Sequence, residues 1–138
     1  MKRQSNKITA LYCRIANGGY YPDALELIQN QQMLLTRFAS DNGLANPHIY
    51  SDCGFSGTTA DRPEFQRMLA EIKAGNVESL VVKNLSRLFR GLRLSAIFLE
   101  KTLPTYGVTL YTVDDGLYTP TRPFVDLVNA LYQQGGQN

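Results

Sequence analysis

Ser79-Leu80-Val81-Val82-Lys83-Asn84-Leu85-Ser86-Arg87-Leu88-Phe89-Arg90 is the stretch on which the fold turns. Its first part, Ser79–Lys83, is a continuous apolar run, the pattern of a strand covered on both faces in a parallel sheet. Its second part is basic and reads as a turn of helix over 86–90. Gly91 interrupts that turn, and a further helix is expected from about Leu92 to Thr102, before Pro104. Between Glu78 and Glu100 there is no acid, while Lys83, Arg87, Arg90 and Arg93 fall within eleven residues. Charge alone makes this a solvated basic face.

Toward the N-terminus, residues 8–16 (Ile-Thr-Ala-Leu-Tyr-Cys-Arg-Ile-Ala) are rich in strand formers. Alternation puts Arg14 on the same side of that strand as Tyr12 and Ala16. Asn17-Gly18-Gly19 ends the strand, and a helix is predicted from about Pro22 to Asp41, stopped by Gly43. Leu27, Leu34 and Phe38 form its apolar stripe, with Gln31 on the same line. Such a glutamine either edges the packed face or points into a polar site. His48–Ser51 reads as a second strand, followed by a Gly- and Thr-rich loop over 52–61. Asp61-Arg62-Pro63-Glu64 then opens a helix whose Phe65, Met68, Leu69 and Ile72 are spaced i, i+3, i+4, i+7, with Gly75 as its close. Toward the C-terminus, Val108–Val113 is a strand, Asp114-Asp115-Gly116 a turn, and Phe124–Tyr132 an amphipathic helix. Strand and helix alternate at least three times, which argues for a mostly parallel sheet with helices on both faces.

The bulk numbers set few limits. A chain of 138 residues with 43% hydrophobic and 19% charged residues is expected to be a single soluble domain, 1–138, with its core over 7–118. No apolar run approaches the roughly 20 residues of a membrane helix, and no signal-peptide pattern precedes the first strand, so a cytoplasmic location is expected. A net charge of +2 does not by itself imply nucleic acid. Cys13 and Cys53 lack CxxC spacing and His48 has no partner pattern, so neither a metal site nor a cofactor is expected. Cys13, inside an apolar strand, reads as buried and inert.

Four arginines, Arg14, Arg62, Arg87 and Arg90, stand beside loops at element boundaries. Guanidinium forks match phosphate oxygens bidentately and keep their charge, and Arg87 and Arg90 are i, i+3 neighbours. Gly18-Gly19 is not GxGxxG, and no GxxxxGK[ST] occurs, which weakens a nucleotide or small-molecule phosphate enzyme as an alternative. Scattered arginines alone are more often surface ion-pair residues.

Three blocks change that balance. Tyr12-Cys13-Arg14-Ile15-Ala16-Asn17 resembles the Tyr-x-Arg-x-Ser opening of the serine recombinases of the resolvase/invertase type, with the hydroxyl missing. Asp52-Cys53-Gly54-Phe55-Ser56-Gly57 followed by Arg62-Pro63 is similar to the family's Asp-x-Gly-x-Ser-Gly…Arg-Pro signature. Leu85-Ser86-Arg87-Leu88-Phe89-Arg90 is similar to its Ser-Arg-Leu-x-Arg signature. The blocks come in the family's order over about residues 8–118, and the pattern is most like the large serine recombinases. The resemblance implies a three-layer α/β/α resolvase-like domain with a mostly parallel five-stranded mixed sheet, last strand antiparallel. It also implies that residues 119–138 begin a C-terminal helix and a frayed tail, which leaves either a fragment or a stand-alone domain.

The family's chemistry is DNA recombination, including integration by mobile elements. A serine attacks a phosphodiester in line, a 3′ hydroxyl leaves, and a 5′ phosphoserine link preserves the bond energy. Arginines placed in advance stabilise the charge that builds on the phosphoryl oxygens. The resemblance implies catalytic roles for Arg14, Gln31, Arg62, Arg87 and Arg90, phosphate contacts by the four arginines, DNA as partner, and dimers or tetramers; the cationic stretch adds Lys83 and Arg93 as expected DNA-phosphate contacts.

Two departures bear on activity. The nucleophile position is Ala16, which has no oxygen, and the aspartate before the Ser-Arg-Leu block corresponds to Asn84, which carries no charge. Alanine at a nucleophile is either an engineered trap or natural loss, and Asn84 beside it fits loss. Ser56, Thr58 and Ser86 are the nearby hydroxyls, with turn and N-cap roles as their ordinary explanation. The expectation is therefore a site-specific recombinase catalytic domain that is inactive as written. The alternative is a non-catalytic pseudo-recombinase that binds DNA or serves as a dimerisation or regulatory module.

Overall fold

The first strand, β1 (Ile8–Ile15), runs down the middle of the sheet with a parallel neighbour on each side. The computed structural model describes residues 6–15, 24–53, 62–88, 97–114 and 117–118. Ala16, Ser56, Thr58, Arg90, Gly91 and Arg93 lie outside these residues, as do the segment 92–96, the turn residues 115–116 and the helix expected over 124–132. β2 (Pro47–Cys53), β3 (Val77–Val82) and β4 (Thr109–Thr112) complete a parallel body in the order β2-β1-β3-β4. A two-residue rung, β5 (Leu117–Tyr118), pairs antiparallel with β4 through Tyr111 and Thr112.

Alternation along β1 builds two separate cores. Ala10 and Tyr12 face a cluster with Phe65, Met68 and Ile72 of α2 (Pro63–Lys73), together with Leu80, Val82, Phe98, Leu99 and Leu103. Leu11 and Cys13 face the other side, against Ile28, Leu35 and Ala39 of α1 (Ala24–Asp41) and Val81. Helices thus cover both faces of an α/β fold with a parallel sheet. β3 feeds both clusters, which is why it reads as an unbroken apolar run.

Two details depart from the sequence pattern. The buried stripe of α1 is Ile28, Gln31, Leu35 and Ala39, while Leu27 is 47% exposed and Leu34 and Phe38 sit at its edge. The helix carries apolar residues at both 27/28 and 34/35, so spacing alone left the centre of the face open by one residue. Small Ala39 lets the sheet approach on the 28/35 line. The other departure is at Pro104, where the helix does not stop. The helix α3 is a widened π turn over Phe98–Thr102 that passes into an α turn, Leu103–Thr105. The wide turn accommodates a proline that has no N–H and would crowd the carbonyl one tight turn earlier. Gly43 and Gly75, expected to stop α1 and α2, take left-handed backbone at φ +66° and +81°.

Candidate phosphate-binding site at the strand ends

In the order β2-β1-β3, the chain passes from β1 to one side and then crosses to the other, which makes a switch point between the parallel strands β1 and β3, and open α/β sheets place their sites at the carboxyl ends beside such a point. β1 outruns β3 there. The last β1–β3 pair is Tyr12 with Val82, yet β1 continues through Arg14 to Ile15. The space beyond β3 is taken by a tight 3₁₀ turn, Leu85–Arg87, whose first N–H bonds close on Asn84 and Leu85 carbonyls.

Two buried arginines hold that turn. Arg14 is 1% exposed and donates from Nε to the Arg87 carbonyl at 3.1 Å and from Nη2 to the Ser86 carbonyl at 2.6 Å. Arg62 is fully buried and donates from Nη1 to the Arg87 carbonyl at 3.1 Å and from Nη2 to the Leu88 carbonyl. The free carbonyls at the end of a helical turn carry partial negative charge, so cations are favoured there. Burial pulls the Arg62 guanidinium down from its ordinary value, with neighbouring Tyr12 and Asp52 opposing. Its face also stacks on Phe65, Cζ lying 4.5 Å from the ring centre.

Gln31 reaches the same strand end from the other face. Its Oε1 accepts the Arg14 N–H at 3.0 Å and its Nε2 donates to the Arg14 carbonyl at 3.4 Å. The amide thus stands in for a neighbouring strand where β3 has ended. This gives the polar residue on an apolar stripe a definite task.

Arg87 is only partly buried. Its Nη1 donates to the Arg14 carbonyl at 3.3 Å, and its buried Nε has no hydrogen-bond partner. Lys83 and Asn84 stand at the same end of β3 and turn toward Asp114, at 2.7 Å for Lys83 Nζ and 3.4 Å for Asn84 Nδ2. Asn84 Oδ1 also accepts the Ser86 hydroxyl at 2.6 Å. Of the expected site residues, the structure therefore joins Arg14, Gln31, Arg62 and Arg87 into one hydrogen-bonded cluster, with Lys83 and Asn84 beside it. Among the described residues there is no group of three or more side chains able to hold a metal ion. No described helix is long and apolar enough to cross a membrane.

Two residues of this cluster had no role assigned from the sequence. The Asp52 carboxylate accepts the backbone N–H of Glu64 and of Phe65, each at 3.0 Å. It caps α2 from another strand, since Arg62 at the N-cap makes no side-chain cap and Pro63 has no N–H. Asp52 also accepts the Tyr12 hydroxyl at 2.7 Å, and that oxygen accepts Arg62 Nη1 at 3.0 Å. Both residues stand in the sequence blocks, and their polarity inside a core was the available signal.

The resolvase N-terminal domain model matches residues 9–134. The chain belongs to this family. No curated protein matches the chain. The resolvase fold is shared with solved serine recombinase domains. The N-terminal catalytic domain of TP901-1 integrase is 23% identical, with a TM-score of 0.73 over 94% of this chain and 95% of that one. A resolvase family site-specific recombinase from Streptococcus pneumoniae is 24% identical, with a TM-score of 0.65 over 96% and 90%. A serine recombinase from Sulfolobus solfataricus is 21% identical, with a TM-score of 0.63 over 95% and 84%. At these identities the likeness is one of fold.

Proposed function

We propose that this resolvase domain grips DNA phosphate at the strand ends and acts as a serine recombinase catalytic domain that is inactive as written. The observation that carries the reading is Arg87. It stands on a turn fixed by Arg14 and Arg62 at the carboxyl ends of β1 and β3, and its half-buried guanidinium, which gives Nη1 to the Arg14 carbonyl, keeps further N–H donors for an anionic oxygen. On this reading Arg90 and Arg93, outside the described residues, supply further positive charge to DNA, and Gln31 keeps Arg14 in place. The short β5 rung is then the antiparallel fifth strand of the family's mixed sheet. DNA is the partner, within a dimer or tetramer of the chain in the cytoplasm.

Ala16 follows directly on β1, two residues after Arg14, and supplies no attacking oxygen. Asn84 supplies no proton acceptor, and both its side-chain atoms are already hydrogen-bonded. These two residues also favour a second reading, a non-catalytic module that keeps the cradle to bind DNA or to pair with an active copy.

The test is incubation with a pool of random-sequence duplexes, followed by denaturing electrophoresis. The chain forms no covalent adduct. An adduct would overturn the reading and direct attention to Ser56, Thr58 or Ser86. An adduct from Ala16→Ser alone would show the rest of the apparatus to be intact, whereas its absence would favour the second reading.

A further inference from the structure

The Tyr12 oxygen sits in the middle of a buried polar chain that begins at α2 and ends at Arg87. Asp52 is fixed first, by the N–H groups of Glu64 and Phe65. Tyr12 commits its hydrogen to Asp52 at 2.7 Å and its lone pair to Arg62 Nη1 at 3.0 Å. The same Arg62 nitrogen holds the Arg87 carbonyl at 3.1 Å, and Nη2 holds the Leu88 carbonyl. Burial and the bond to Asp52 push the phenol above its ordinary value, so it stays a neutral donor and acceptor. Ring packing does not call for this oxygen. The ring meets Phe65 edge-on at 5.5 Å, a contact phenylalanine would make equally well.

We infer that the Tyr12 hydroxyl is a positioning group, which aims Arg62 at the 85–88 turn and thereby sets where the Arg87 guanidinium stands. The inference rests on the proposed role of Arg87 at phosphate. With the oxygen absent, Arg62 loses one of its acceptors and its hold on the Arg87 carbonyl loosens, while Asp52 keeps both backbone donors. Arg87 then samples more than one position. A preorganised donor loses its advantage when it must be reordered on binding.

The experiment compares the full chain with Tyr12→Phe, well below the melting temperature of either. One readout is the Nε–H resonance of Arg87 and its exchange with solvent. The other is affinity for a short DNA duplex, with Arg87→Ala measured alongside. In Tyr12→Phe the Arg87 resonance shifts and exchanges about ten-fold faster, and duplex affinity falls about three- to ten-fold. A lower melting temperature with the Arg87 resonance and the affinity unmoved would mean the hydroxyl merely stabilises the fold, and would overturn the inference. If Arg87→Ala leaves affinity unchanged, the phosphate reading fails, and the resonance still decides whether Tyr12 positions Arg87. Site-specific 3,5-difluorotyrosine at position 12 keeps the hydroxyl and the fold but weakens the oxygen as an acceptor. It shifts the Arg87 resonance in the same direction by less, and no shift would overturn the inference.

Discussion

Arg14 Nη2 donates to the Ser86 carbonyl at 2.6 Å, joining the end of the first strand to a turn 72 positions further along the chain. That bond and its neighbours from Arg62 make the basic turn part of the sheet's end. Cationic side chains here serve the backbone before they serve any ligand.

Removing Arg62 is therefore a stability lesion as well as a functional one. Arg62→Ala strips hydrogen bonds from the carbonyls of Arg87 and Leu88 and from Tyr12, and leaves a cavity beside Phe65. Chemical denaturation shows a loss of about 3–5 kcal/mol, at the upper end of single substitutions. A loss under about 1 kcal/mol would mean that the turn holds itself.

Gln31→Leu leaves the fold intact but unseals the end of β1. Arg14 loses the Gln31 acceptor of its N–H and the Gln31 donor to its carbonyl. The cost is about 1–3 kcal/mol, with faster hydrogen exchange at the Arg14 amide. Unchanged exchange would show that the side-chain amide does not replace a strand there.

Asp114→Ala costs under about 1 kcal/mol, because its ion pair with Lys83 is more than a third exposed on each side and screened by solvent. Placing this loss beside that of Arg62→Ala separates surface charge from the buried cluster.

The two thiols differ in reach. Cys53 is exposed and reacts with a disulfide reagent in the native protein, whereas Cys13 reacts only after denaturation. Burial pushes the Cys13 thiol from 9.0 up to about 12, and burial raises Tyr12 and Tyr50 as well. For a group raised in the folded state, the stabilisation is whole below its unfolded value and is lost as pH climbs toward the folded one. The contribution of the Cys13 thiol is thus whole below pH 9.0 and falls from there toward about 12. Cys13→Ala delays the onset to the tyrosine range, near 10.0. A native protein with both thiols reactive, or an onset unmoved by Cys13→Ala, would contradict this packing.

Much of the scaffold was legible in sequence because its signals are local. The unbroken apolar run of β3, the alternation in β1 and the stripe of Phe65, Met68 and Ile72 each follow from a few adjacent residues. Two glycine stops were equally plain. The α1 face was misjudged by one position, since Leu27 and Ile28 are equally apolar and only the sheet chooses between them. The site was legible as a set of residues but not as a mechanism of assembly. Arg14 and Arg62 invite a reading as ligand-facing charges, and a linear pattern does not reveal that they hold carbonyls 25 and 73 residues away. Tyr12 and Asp52, 40 apart, were invisible as a pair for the same reason.

The central claim, that these strand ends grip DNA through phosphate alone, is tested most directly by a salt titration of binding to two duplexes of unrelated sequence. Each neutralised phosphate contributes about −0.9 to the slope of log affinity against log salt, so three or four contacts give roughly −3 to −4. The account predicts that slope on both duplexes alike, reduced by about one in Arg87→Ala. Tight binding at physiological salt that separates the duplexes, or a slope unmoved by Arg87→Ala, would contradict it.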